Sequence, residues 1–303
     1  MEMLKEKLDE IKLKPIDLEK NFNLALEDEK FKNLVSKIKL PKKTLKLYTS
    51  LLEASSLEYD NCLKCSCLSS CPNKITGYVY LPKIVNDKLE FQYKACRFKE
   101  MQIKENEHLK NIYLYDVPLE IKQASMKNIY TNDKNRFEII KWMKDFIDNY
   151  PNNKHQKGLY LYGSFGCGKT YLLAALFNEM AKKNVKSAIV FWPEYLRDLK
   201  SSFNTDYNTK INHIKKVPLL LIDDIGAESV TSWGRDEILC SIVQYRMQEK
   251  LPTFFTSNLD IKALEKHLST SKDEIDEVKS RRVIERIKQL TEEKGMISKN
   301  LRS

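Results

Sequence analysis

GLYLYGSFGCGKT, residues 158–170, is the stretch on which the fold turns. Its first half is a short apolar and aromatic run of strand type, and the residues that follow, KTYLLAALFNEMAKK (169–183), read as a helix. Between them Gly163, Gly166, Gly168, Lys169 and Thr170 fit the spacing G-x-x-x-x-G-K-[ST], in the strand–loop–helix setting that this motif requires. Over Gly163, Ser164, Phe165, Gly166, Cys167 and Gly168 such a loop turns backbone N–H groups inward on phosphate oxygens, and the positive end of the next helix favours the charge there. Lys169 is then expected to bridge the β- and γ-phosphates of a nucleotide, and the Thr170 hydroxyl to coordinate Mg²⁺. Cys167 reads as a small filler.

Downstream the pattern repeats. SAIVFW (187–192), VPLLLIDD (217–224) and LPTFFTSN (251–258) are short apolar runs of strand type, and PEYLRDLKSS (193–202) and SWGRDEILCSIVQYRMQE (232–249) are helical. Strands alternating with helices predict a parallel sheet covered on both sides. The carboxyl ends of such strands open on the ligand crevice, so Asp223 and Asp224 are expected beside the phosphate loop. Asp223 would hold Mg²⁺, and Asp224 would act as base or orient the attacking water. Asn258 ends another strand and can report on the γ-phosphate. In KSRRVIERIKQL (279–290), Arg282 and Arg286 stand one helical turn apart, and either can serve as an arginine finger toward a neighbouring subunit's nucleotide.

Upstream, NRFEIIKWMKDFIDNY (135–150) predicts a helix whose inner face carries Phe137, Ile140, Met143 or Trp142, and Ile147. Residues 106–134 read as a linker between this ATPase domain, 135–303, and an N-terminal domain, 1–105. That domain begins with lysine-rich amphipathic helices, Leu4, Leu8 and Ile11 recurring at three- and four-residue steps, and continues into short strands at GYVYLP (77–82) and KLEFQYKAC (88–96). Together they predict a small α+β module.

Four of the seven cysteines fall within NCLKCSCLSSC, 61–71. With no signal peptide and no apolar run long enough to cross a membrane, a cytoplasmic location is expected, where clustered thiols serve metals more often than disulfides. Cys62, Cys65, Cys71 and Cys96 suit a closed tetrahedral Zn²⁺ site, structural rather than catalytic. Cys67 is surplus, and His108 is the nearest alternative ligand. The chain has 303 residues, is 42% hydrophobic and carries a formal charge of +10, enough for two domains and suggestive of an anionic partner. Lys182, Lys183, Arg197 and Lys200, with Tyr195 or Phe203 for stacking, are candidate contacts to such a partner.

LLLIDDIGAESVTSW (219–233), QYRMQE followed by PTFFTSN, and RRVIERIK (281–288), taken with the phosphate loop, resemble the DnaC/DnaI/IstB-like family of AAA+ ATPases, and within it the helicase loaders of low-GC Gram-positive bacteria. The resemblance covers most of 155–295, with a looser agreement in the N-terminal cysteine pattern. It implies a C-terminal AAA+ P-loop domain, with Walker A at Gly163–Thr170, Walker B acids Asp223 and Asp224, sensor Asn258, and Arg282 in preference to Arg286 as the finger. Few residues follow Leu290, so a lid is expected to be minimal or missing, and Arg302 is not taken as a second sensor. The resemblance further implies an ATP-dependent loader that engages a DnaB-type helicase hexamer through the N-terminal domain and places it on single-stranded DNA in replication initiation and restart. Hydrolysis would be weak or partner-stimulated, and self-association would run through the ATPase domain. Alternatives are a nucleotide-gated adaptor with little turnover and a transposase-assisting AAA+ ATPase; the cysteine module counts against the latter.

Overall fold

The computed structural model describes residues 17–131, 133–201, 206–270, 276–298, 300 and 301. The expected apolar positions Leu4, Leu8 and Ile11 lie outside the described residues, as do Phe203 and Arg302. Two compact units make up the chain, Met1–Asn106 and Glu107–Ser303.

In the first unit, aspartates start the first two described helices. Asp17 accepts from Lys20 N–H to cap α1 (Leu18–Ala25), and Asp28 accepts from Lys30 N–H to cap α2 (Glu29–Val35). The short α3 (Lys42–Lys46) and long α4 (Thr49–Lys64) follow. A hairpin of β1 (Tyr78–Val85) and β2 (Lys88–Ala95) and helix α5 (Arg97–Glu105) complete the unit. Asn86 and Asp87 join the strands with φ of 47° and 58°, the left-handed pair that a two-residue hairpin turn needs. The core is small: Phe22 meets Phe31 edge-on at 5.6 Å, with Leu34, Leu45, Leu52 and Leu89 buried around them.

The second unit is a six-stranded parallel sheet between helices. Its strands are β3 (Ile112–Tyr115), β4 (Gly158–Gly163), β5 (Ser187–Phe191), β6 (Leu219–Asp223), β7 (Thr253–Ser257) and β8 (Thr291–Met296), in spatial order β3-β5-β6-β7-β4-β8. Helices α6 (Leu119–Lys122), α7 (Lys134–Asn149), α8 (Lys169–Lys182), α9 (Trp192–Ser201), α10 (Tyr207–Lys216), α11 (Cys240–Gln248), α12 (Ile261–Ser269) and α13 (Glu277–Leu290) connect and cover them. Alternate strand residues feed two cores. Leu159, Leu161, Leu221 and Phe254 pack under α7 and α8, while Tyr160, Leu220, Ile222 and Phe255 pack against Ile238, Ile242, Ile284 and Ile287 on the other face. With both faces covered, β5 and β6 carry apolar residues at consecutive positions, which is why they stood out in the sequence.

Several expectations change. The stretch expected as a linker over 106–134 falls, from Glu107 on, in the second unit, where it supplies edge strand β3 and delivers Ile112, Ala124 and Ile129 to the core. The buried face of α7 is Ile139, Met143, Phe146 and Ile147, whereas Phe137 points outward at 65% exposed. The polar run TEEKGM forms β8, held by pairing with β4 along its length rather than by an apolar pattern. The helix expected over 232–249 opens with a π-helical segment, Trp233–Leu239, in which Arg235 is buried, paired with Asp236 at 2.6 Å and bonded to the Leu268 carbonyl at 3.1 Å. Among the described residues no helix follows β8, and no helix is long and apolar enough to cross a membrane.

Candidate nucleotide-binding site

β4 ends at Gly163, whose φ of 147° and close approach to the Met296 carbonyl leave no room for a Cβ, which would lie 2.0 Å from that oxygen. Gly168, at φ 88°, turns the chain into α8 with the left-handed geometry that glycine tolerates. Lys169 then begins the helix with its side chain folded back. Its Nζ donates to the carbonyls of Gly163 (3.0 Å) and Ser164 (2.9 Å) and to Asn258 Oδ1 (2.9 Å). Lys169 is buried, and burial pushes its ammonium below the usual lysine range, with the charges of Cys167, Asp224 and Asp223 opposing.

The sheet order sets β7 between β4 and β6, so the ends of all three meet at one place. Thr170 Oγ1 donates to Asp223 Oδ1 at 2.7 Å, and Thr256 Oγ1 donates to the same oxygen at 2.5 Å. Burial raises the Asp223 carboxyl, while these two hydroxyls act to lower it. Asp224 takes φ 55°, and its N–H donates to Thr256 Oγ1 at 2.9 Å. The turn brings its carboxylate to Asn258, whose Nδ2 donates to Oδ1 at 3.1 Å. Asn258 therefore bridges Lys169 and Asp224 through the two ends of one amide.

Thr256 and Glu228 belong to this group and were not singled out from the sequence. Glu228 is buried, accepts from Gly226 N–H at 2.7 Å and has its carboxyl raised by burial. The acid one step past DDIGA was the only sequence signal for it; Thr256 had none, being one of three polar residues of β7, with Thr253 and Ser257.

The two arginines differ. Arg286 Nε donates to Gln244 Oε1 and its Nη1 to the Arg282 carbonyl at 2.9 Å. Arg282 is exposed and its guanidinium makes no hydrogen bond or ion pair among the described residues. Both line a shallow groove of about 440 Å³ with Met247 and Val278.

The candidate DNA contacts do not form one surface. Tyr195 is 1% exposed, stacked on Trp192 and edge-on to Tyr115, and is closed to a base. Lys182 and Lys183 end α8, about 20 Å from Lys169 at 1.5 Å per residue, and Lys183 Nζ is bonded to the Ile147 carbonyl. Arg197 pairs with Glu194. Only Lys200, whose Nζ lies 5.5 Å from the ring centroid of half-buried Trp233, combines an exposed cation with an aromatic.

In the first unit, Cys62, Cys65, Cys71 and Cys96 line one cavity of about 250 Å³, and Cys67 and His108 do not. Burial pushes the Cys62 thiol up, and the neighbouring thiols of Cys96, Cys71 and Cys65 push the same way against a hydrogen bond from Asn73. Among the described residues, however, no three His, Cys, Asp or Glu side chains are placed to hold a metal ion, so the expected four-sulfur shell is not assembled. Cys67 is exposed beside the Ser69 and Ser70 hydroxyls, each 3.2 Å away.

A parallel sheet with a glycine loop, an invaginated lysine, and strand-end acids and asparagine converging on it defines a P-loop ATPase domain of the AAA+ class. Residues 126–273 match the model for the bacterial DnaA ATPase domain. The replicative helicase loader DnaI of Bacillus subtilis is 39% identical over 234 residues, 75% of this chain and 74% of that protein. A crystal structure of DnaI, 46% identical, superposes with a TM-score of 0.57 over 64% of this chain and 98% of its own. The crystal structure of a protein of Streptococcus pyogenes serotype M3 is 35% identical, with a TM-score of 0.56 over 65% of this chain and 98% of its own. The chain belongs to the DnaI family of replicative helicase loaders.

Proposed function

We propose that the chain is an ATP-switched loader that grips a DnaB-type helicase hexamer with its first unit and helps place the ring on single-stranded DNA with its second. The observation that carries this reading is the amide of Asn258, held between Lys169 and Asp224. A γ-phosphate arriving at the loop would draw Lys169 Nζ from the Gly163 and Ser164 carbonyls, break or re-aim that bridge, and so pass nucleotide state from the loop to β7 and the residues after it. In this scheme the amides of Gly163–Thr170 and Lys169 hold the triphosphate. Thr170 and Asp223 share a hydrogen bond that Mg²⁺ would replace, and Asp224 orients the attacking water. Arg282, free and exposed, serves a neighbouring copy's nucleotide, so hydrolysis stays weak until copies or partners assemble. The nucleoside end would lodge in a cavity of about 280 Å³ beside Gly168, lined by Ile129, Tyr130, Tyr171 and Leu172.

For the cysteine module we retain Zn²⁺ as the structural ion. What supports it is the donor set, four sulfurs of unlinked cysteines around one cavity and nothing else that would cross-link a small core. Lys200 and Trp233 are the proposed start of the DNA-binding surface.

The test is ATP-dependent transfer of a purified DnaB-type hexamer onto a primer-free DNA circle by the full chain. Helicase recruited with ATP and not without it is the expected result; equal recruitment in both, or no complex with the hexamer, would refute the loader.

A further inference from the structure

Charged side chains are seldom buried without a counter-charge or a full set of hydrogen-bond partners, because the lost hydration is otherwise uncompensated. Three arginines of the second unit are almost wholly buried: Arg136 (3% exposed), Arg235 (2%) and Arg246 (0%). Two of them are provided for. Arg235 is forked onto Asp236 through Nε and Nη2, at 2.6 and 3.0 Å. Arg246 donates to the carbonyls of Ile214, Lys215, Val217, Pro218 and Pro252 and to Thr253 Oγ1.

Arg136 is not. From the first turn of α7 it makes one hydrogen bond, Nη2 to the Cys167 carbonyl in the phosphate loop, and no ion pair among the described residues. Asp133 feels its charge, but that carboxylate is engaged by Ser298 and by Asn135 N–H. The guanidinium lies against Gly168, where a Cβ would be 3.5 Å from Nη2, and it lines the cavity of about 280 Å³ with Ile129, Tyr130, Tyr171 and Leu172. Of its five N–H donors, most are left for whatever enters that cavity.

We propose that Arg136 is a phosphate ligand acting in cis, its guanidinium taking the α-phosphate of the nucleotide held by the loop. This rests on the phosphate-loop reading above. Thr170, Asp223, Asn258 and Lys169 Nζ gather on one flank of the loop, where the terminal phosphate belongs; Arg136 reaches the loop from the cavity flank, where the nucleoside belongs. The phosphate that joins the two ends is the α-phosphate. The α-phosphate supplies the missing counter-charge for Arg136 only when nucleotide is bound, and the guanidinium fork suits two phosphate oxygens.

The experiment is competition against a fluorescent ADP by ATP and by the two diastereomers of adenosine 5′-O-(1-thiotriphosphate), with the full chain and its Arg136→Gln and Arg136→Lys variants. The wild type should prefer one diastereomer, Arg136→Gln should lose about tenfold or more in ATP affinity together with that preference, and Arg136→Lys should keep part of the affinity. ATP affinity within twofold of wild type in Arg136→Gln overturns the proposal, as does a loss of affinity with the preference intact, which is the mark of a loop brace alone. No preference in the wild type overturns it too. Should Arg136→Gln fail to fold, Arg136→Lys decides by its diastereomer ratio. Lys169→Ala run alongside separates the two readings: unchanged ATP binding there removes the phosphate loop itself, whatever Arg136 does.

Discussion

Thr170 and Asp223, at the starts and ends of different elements, are joined by a 2.7 Å hydrogen bond from hydroxyl to carboxylate. One stands in the first turn of α8, just past the phosphate loop, and the other is the last residue of β6, and a divalent cation between them would displace the proton-mediated contact with two oxygen ligands. Asp223→Asn is expected to bind ATP with no gain from Mg²⁺, whereas the wild type binds more tightly with it. Asp224→Asn should keep Mg²⁺–ATP affinity and lose about a hundredfold or more in hydrolysis. Titration of a fluorescent ATP with and without magnesium, and phosphate release, read the two effects apart.

Arg282 and Arg286 lie one turn apart on α13, yet only Arg286 is fastened, to Gln244 and to the Arg282 carbonyl. A free guanidinium is available to a second copy; a tethered one holds its own helix. Arg282→Ala should abolish hydrolysis that rises with protein concentration and leave nucleotide affinity and melting temperature alone. Arg286→Ala should instead lower thermal stability. Hydrolysis at several protein concentrations, with a melting curve for each variant, reverses the assignment if Arg286→Ala is the silent fold and dead enzyme.

Asp236 gives the second unit an acid sensitivity. Burial acts to raise its carboxyl, but the hydrogen bonds and charges of Arg235 and Lys279 outweigh it and hold it below the ordinary value of 3.8. A carboxyl depressed on folding contributes stability that is fully present above the unfolded value and is lost as pH falls through the lower folded one. Asp236→Asn leaves the buried Arg235 without its counter-ion and should cost about 3 kcal/mol near pH 7. The gap between wild type and variant in urea unfolding should narrow below pH 3.8 and stay constant from pH 5 to 7.

The cysteine module makes its own prediction. Cys62→Ser with Cys65→Ser should bring zinc content to zero and unfold the first unit while ATP binding by the second persists, since structural zinc sites contribute about 10 kcal/mol to folding. Cys67→Ser, outside the cavity, should leave the metal in place. Elemental analysis and circular dichroism decide it; wild-type protein purified free of zinc and fully folded would remove the metal.

The strands LLLID and TFFTS were legible because a strand buried on both faces carries apolar residues at consecutive positions, here Leu219–Ile222 and Phe254–Phe255, whatever its partners. β8 was not, because TEEKGM owes its conformation to six pairings with β4 rather than to its own residues. The same holds for β3, which looked like linker and pairs with β5 through Ile112–Tyr115. On α7 the helix was legible and its inner face was not. Phe137 fits the apolar periodicity, but the core beneath takes Ile139, Met143 and Phe146, and that choice depends on α8 and β7.

By itself the sequence determined the loop, the lysine and threonine that follow it, and the acids that end β6, because each is a local pattern in which spacing along the chain fixes geometry. Only the tertiary structure decided that Asn258 spans Lys169 and Asp224, that Thr256 shares the Asp223 oxygen, and that Arg136 is buried with donors to spare. Those relations join residues far apart in the chain, and nothing in a local pattern carries them: they exist once strand order has set three strand ends, and the start of α7, around one loop.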